Sequence, residues 1–95
     1  MSRSTSNQLF HLGRIVSTPG AIDMMETNQV NGVELLTRHC SGDWGDLSKQ
    51  DKEENELSLK EGFRILSSYK TKGGKIWIIT EADRSATTFL LPSEY

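Results

Sequence analysis

Two short polar stretches hold most of the residues with chemical potential. The first is Gly42-Asp43-Trp44-Gly45-Asp46, where two carboxylates and two glycines bracket a lone tryptophan. Asp43 and Asp46 could hold a cation or cap neighbouring helices, and capping is the commoner task. His39 lies four residues before Asp43, so a mixed nitrogen and oxygen metal site can be drawn, but the spacing matches no established ligand pattern and no metal is assigned. Trp44 in such a loop either plugs a core or anchors a partner, and large aromatics are more often buried. The second stretch is Glu81-Ala82-Asp83-Arg84-Ser85. Paired carboxylates divide acid and base roles when their surroundings separate their pKa values, and a nearby arginine holds one ionised. The alternative is a polar turn in which Asp83 bonds the backbone and Arg84 points to water. A pocket joining both stretches would gather His39, Asp43, Asp46, Glu81, Asp83 and Arg84. Lys70, Lys72 and Lys75 surround the Gly73-Gly74 turn with Tyr69 and Trp77 nearby, a set that could follow a nucleic-acid backbone but also suits ordinary edge protection. No phosphate-binding glycine loop, nucleophile elbow or H-E-x-x-H run is present, so neither catalytic residue nor cofactor is assigned.

The elements that must position these residues are organised around Lys75 to Leu91. Ile76-Trp77-Ile78-Ile79 reads as a strand covered on both faces, and Thr87 to Leu91 as its antiparallel neighbour across a loop too short for a helical crossover. Phe63 to Tyr69 precedes them as a third strand, joined through the glycines of Lys70-Thr71-Lys72-Gly73-Gly74. Upstream, Leu9 to Val16 reads as an edge strand with a bulge at Gly13. Thr18-Pro19, Asn31 and Ser48 each mark a helix start, and Gly62 closes the third helix. On the second helix Val33, Leu36 and Cys40 share a stripe, with Leu35 and His39 beside it; the third helix is expected to face water over most of its surface. The expected architecture is α+β, a small three- to four-stranded antiparallel sheet with two or three helices packed on one face. Residues 1–8 are expected to form a disordered tail and residues 9–95 a single domain.

Composition narrows the function classes. At 35% apolar and 25% charged over 95 residues, the chain has the make-up of one ordinary globular domain. A net charge of −2 gives no bulk electrostatic support for a nucleic-acid partner. Six acids between Gly42 and Glu56, against Lys49 and Lys52, form an acidic block that is a dilute imitation of a phosphate backbone. A lone cysteine, Cys40, allows no internal disulfide and fits a reducing compartment, and no apolar run is long enough to cross a bilayer. The expected location is therefore the cytoplasm.

L-G-R-I-V-S-T-P-G-A near the start, G-D-W-G-D-L in the middle and I-W-I-I-T-E-A-D-R-S-A-T-T-F-L-L-P-S-E-Y at the end resemble a family of small uncharacterised bacterial proteins carried on plasmids and other mobile elements. Its members are often labelled "plasmid-related protein" or "type I restriction endonuclease subunit M". The second label does not fit the residues, since a DNA methyltransferase needs a glycine-rich cofactor loop and an N-P-P-[YF]-like segment on a much longer chain. The resemblance implies a mobile-element origin and a shared pattern around Asp43, Trp44, Asp46, Glu81, Asp83 and Arg84. It brings no mechanism. The expectation is an accessory or interaction protein with a protein partner, modulating a host defence or restriction system. The two-loop pocket of a small enzyme or ligand-binding protein is the alternative, and nucleic-acid binding through the lysine hairpin ranks third. A short edge strand and an exposed Trp44 would also suit a homodimer.

Overall fold

The computed structural model describes residues 8–95, so the expected tail, apart from Gln8, lies outside the described residues. The order of elements is β1 (Arg14–Ser17), α1 (Pro19–Thr27), α2 (Gly32–Cys40), α3 (Lys49–Glu61), β2 (Ile65–Thr71), β3 (Gly74–Thr80) and β4 (Ala86–Leu90), followed by a single 3-10 turn over Pro92–Glu94. Each helix starts as its sequence dictates. Thr18, Asn31 and Ser48 accept hydrogen bonds from the backbone N–H groups of Ala21, Glu34 and Asp51 at 3.1, 3.2 and 3.1 Å. Gly62 ends α3 in the left-handed region at φ +79°, a conformation that costs glycine little.

The α+β expectation holds, with one change in the sheet. Its four strands run in the order β1-β4-β3-β2; β2, β3 and β4 form the expected antiparallel meander, but β1 joins β4 in parallel. Parallel neighbours need a long connection, and the three helices with the β2–β3 hairpin supply it. The first strand is on the edge, as expected, yet shorter than the Leu9–Val16 reading. Gly13 sits at φ +65° with its Cα against the Ser85 and Arg84 backbone, where a Cβ would collide, so the chain turns sharply there and regular pairing starts only at Arg14.

One sheet face carries Ile65, Ser67, Tyr69, Ile76, Ile78, Thr80, Thr87 and Phe89, all buried. Ala21 of α1 and Leu35 of α2 join Tyr69, Ile76, Ile78 and Phe89 in the core, with Met24, Met25, Val30 and Leu36 around them. On α2 the buried side chains are Leu35 and His39, while Val33 is exposed; the sheet-facing stripe is thus the one read as lying beside Val33, Leu36 and Cys40. The expectation for α3 holds, since only Asn55 and Ser58 are buried, and Leu57 faces outward. The opposite sheet face carries Leu66, Trp77, Ile79, Thr88 and Leu90. There the Tyr95 ring meets Trp77 edge-on at 5.5 Å. Glu94 fastens this end of the chain by accepting from the Thr18 hydroxyl at 2.6 Å and the Leu91 N–H at 2.9 Å, bonds that hold its carboxyl below the usual range. Among the described residues, no helix is long and apolar enough to cross a membrane.

Candidate functional site

The Gly42–Asp46 stretch folds along the outer edge of β2. The Ser68 N–H donates to the Trp44 carbonyl at 3.1 Å and the Asp46 N–H to the Ser68 carbonyl at 2.6 Å, so Gly45 forms one residue of a parallel bridge. Gly45 stands at φ +77°, and a Cβ there would strike the Ser68 carbonyl and the Tyr69 ring, which explains why glycine occupies this point. One step along the same edge, Asn55 of α3 exchanges two hydrogen bonds with Leu66, accepting from its N–H at 3.1 Å and donating to its carbonyl at 2.6 Å. A side-chain amide thus takes the place of a neighbouring strand. Loop and helix together close an edge that would otherwise present unpaired backbone groups.

Trp44 is 4% exposed. This corrects the expectation of an exposed tryptophan at a dimer surface and agrees with its reading as a plug. Its indole lies near-parallel to Phe10 at 6.3 Å and edge-on to His39 at 6.1 Å, while its N–H donates to Glu56 at 3.0 Å. Asp43 is paired with Arg38 at 2.7 Å and accepts from the Gly45 N–H, and Arg38 chiefly holds its carboxyl below the usual range. The Arg38 guanidinium in turn lies 4.5 Å from the centre of the Tyr69 ring, whose hydroxyl donates to the Asp43 carbonyl at 2.7 Å. Burial pushes that hydroxyl up to about 12. Asp46 reaches Lys75 at 3.3 Å and Lys70 at 3.7 Å, with Lys75 the larger influence lowering its pKa, so it offsets two of the three hairpin lysines. Arg38, Asp43, Asp46, Tyr69 and Lys70 line a shallow cleft in which the charges already answer one another.

The second stretch is a turn between β3 and β4. Asp83 accepts from the Ser85 N–H at 3.0 Å, and the Ser85 side chain and backbone lower its pKa. Arg84, at φ +61°, does not point to water. Its guanidinium donates to the carbonyls of Phe63 at 2.7 Å, Glu81 and Ala82 at 3.1 Å and Ser58 at 3.0 Å, tying this turn to the end of α3 and the start of β2. It also lies 5.7 Å from the centre of the Phe10 ring, the same ring that lies near-parallel to Trp44. Glu81 faces Arg64 at 3.5 Å. The Trp44–Asp46 backbone lies against Ser68, opposite Trp77 in the middle of β3, whereas Glu81 follows the end of that strand, roughly 13 Å further along at the usual rise per residue. The two acidic stretches line different clefts.

His39 has no exposed surface and uses both ring nitrogens. Nδ1 is 2.6 Å from the Ser67 hydroxyl and Nε2 is 2.9 Å from that of Thr80; Thr80 is 2.7 Å from Thr87, whose hydroxyl donates to the Leu12 carbonyl at 2.7 Å. Each hydroxyl has one proton, so the chain has a single solution. Thr87 gives its proton to Leu12, Thr80 donates to Thr87, His39 Nε2–H donates to Thr80, and Ser67 donates to Nδ1. Burial lowers the His39 pKa to about 3, which keeps the ring neutral. His39 is therefore a core residue, out of reach of the metal site drawn with Asp43. From the sequence Thr87 reads as β-propensity rather than hydroxyl chemistry, and Ser67 and Thr80 carry no separate signal; the alternation that sets Ser67 with Ile65 and Tyr69, Thr80 with Ile76 and Ile78, and Thr87 with Phe89 is what marks them as inward.

The helix-free face holds a groove that sequence reasoning missed. Ile79 and Leu90 form its floor, and Arg64, Glu81, Thr88, Glu94 and Tyr95 its walls. Arg64 donates to the Tyr95 hydroxyl at 3.1 Å. Compared with known protein families, curated proteins and solved structures, this chain matches none of them.

Proposed function

We propose that this chain is a non-enzymatic interaction protein that takes a protein partner on the helix-free face of its sheet. The observation carrying this reading is the grouping of Trp77, Arg64 and a 71% exposed Tyr95 around an apolar floor. Tyrosine, tryptophan and arginine are the side chains that dominate binding energy at protein interfaces. A complementary partner lays an apolar side chain against the exposed Tyr95 ring, above the nearly buried Ile79 and Leu90, and a polar rim against Arg64 and Glu81. The polar side chains with chemical potential support the same reading from the other side, because Asp43, Asp46, Asp83, Arg84 and His39 are engaged within the fold. The resemblance to mobile-element proteins directs the search for the partner towards host defence and restriction systems.

The test is a photo-crosslinking phenylalanine analogue at Tyr95, with the same analogue at the exposed Leu57 of α3 as control. The expected result is one protein captured from position 95 and not from 57, and lost when Arg64→Ala and Trp77→Ala are added. Equal capture from both positions, or a small-molecule turnover abolished by Asp43→Ala with the fold intact, would overturn the proposal.

A further inference from the structure

Among the described residues, β1 leaves one side of its backbone unused. Arg14 donates its N–H to Ser85 and Thr18 donates to Phe89, each at 3.0 Å, so by strand alternation residues 14, 16 and 18 turn their N–H and C=O groups towards β4. Ile15 and Ser17 turn theirs away, and among the described residues no backbone hydrogen bond outside the sheet ladder reaches them. Ile15 and Val16 are 45% and 37% exposed. Gly13 bends the chain at one end of the strand and Thr18-Pro19 starts α1 at the other, so only a short partner strand fits.

We propose that the occupant of this edge is a second copy of the chain, paired antiparallel about a two-fold axis through Val16. That register sets Ile15 opposite Ser17 of the other copy and Ser17 opposite its Ile15, both as hydrogen-bonded pairs, so every outward backbone group of the strand finds a partner. Val16 meets its own equivalent in the closer, non-hydrogen-bonded pair. Arg14 comes to lie opposite Thr18 rather than opposite the other Arg14, so no like charges face each other across the seam. The pairing also closes. The outer edges of the joined sheet are the two β2 edges, each already blocked by Asn55 and the Trp44–Asp46 bridge, and growth stops at two copies. This surface is separate from the groove beside Tyr95, so either proposal can fail alone.

Analytical ultracentrifugation of the unmodified chain is expected to show a dimer that dissociates on dilution. Val16→Arg sets two cations on the axis, and Ile15→Pro removes only an outward donor. Each is expected to raise the dimer Kd by at least roughly tenfold while thermal unfolding of the monomer stays close to that of the parent. In a Cys40→Ser background, Val16→Cys is expected to form an intermolecular disulfide under mild oxidant, because opposed residues of a non-hydrogen-bonded pair fall within disulfide reach. Ile15→Cys faces Ser17 instead and is expected to link far more slowly. A chain that is monomeric at every attainable concentration, a dimer indifferent to both edge substitutions, or equal linking from positions 15 and 16 would overturn the proposal.

Discussion

The two outer strands of this sheet face the same physical problem and meet it in opposite ways. On β2, Asn55 reproduces the hydrogen bonds of an adjacent strand at Leu66, and the Trp44–Asp46 segment does so at Ser68. On β1, the described chain offers Ile15 and Ser17 nothing comparable. The contrast changes the meaning of the most unusual segment in the sequence. Gly42-Asp43-Trp44-Gly45-Asp46 resembles a site because glycine, aspartate and tryptophan concentrate there, and those same types are what an edge closure requires. Glycine lets two backbones approach, aspartate bonds N–H groups and pairs with cations, and tryptophan anchors the segment in the core.

The comparison can be broken most forcefully at Trp44. Trp44→Ala removes the ring stacked on Phe10 and set edge-on to His39 and is expected to destabilise the fold by about 3–5 kcal/mol, as large-to-small core changes do, measured by urea denaturation. If Trp44 were only a surface anchor, the loss would stay below ~1 kcal/mol. Asn55→Leu leaves the Leu66 N–H and carbonyl without partners and is expected to cost about 2–4 kcal/mol. It should also make the protein associate through β2, visible as larger species by light scattering; wild-type stability with no association would mean the edge is closed by something else.

His39 links the two edges, since its network runs from Ser67 of β2 beneath β3 and β4 to Leu12 just before β1. Its native pKa of about 3 lies below the ordinary 6.5. Between those values the unfolded chain binds a proton that the native chain refuses, so stability is complete above pH 6.5 and declines as pH falls towards 3. The expected slope is at most ~1.4 kcal/mol per pH unit. Asp43, Asp46, Asp83 and Glu94, all held below the carboxylate range, add their own losses only at the acidic end. Denaturation midpoints across the upper part of this window should therefore fall for the parent and stay nearly flat for His39→Gln. The smallest effect is expected at Asp46→Ala. Its pairs with Lys70 and Lys75 are exposed and screened by salt, and the edge is held by backbone rather than by charge, so the denaturation midpoint should barely move.

Much of the fold was legible from local chemistry. Thr18-Pro19, Asn31, Ser48 and Gly62 set the helix boundaries through bonds made within a few residues, and four apolar residues from Ile76 to Ile79 announced a strand with two covered faces. Asp83 as a turn-former was equally visible, because its bond to Ser85 spans two residues. What escaped was non-local. Arg84 looked like a solvent-facing turn residue, but its carbonyl partners Ser58 and Phe63 arrive from over twenty residues away. The rotation of α2 was misjudged because Leu35 and His39 read as flanking residues until the hydroxyls of Ser67 and Thr80 made a polar ring the inward choice.

By itself, then, the sequence determined helix caps, the presence of the four strands and the antiparallel meander, since these follow from backbone geometry and the alternation of side chains along one segment, though not where β1 and β2 begin. Tertiary structure alone decided that β1 lies parallel to β4, that the two acidic stretches line different clefts, and that, among the described residues, one edge of the sheet is sealed and the other open. The physical reason is the same in each case. A hydrogen-bonding side chain advertises its capacity but not its partner, and that choice is made only when distant segments are brought together by the burial of the core.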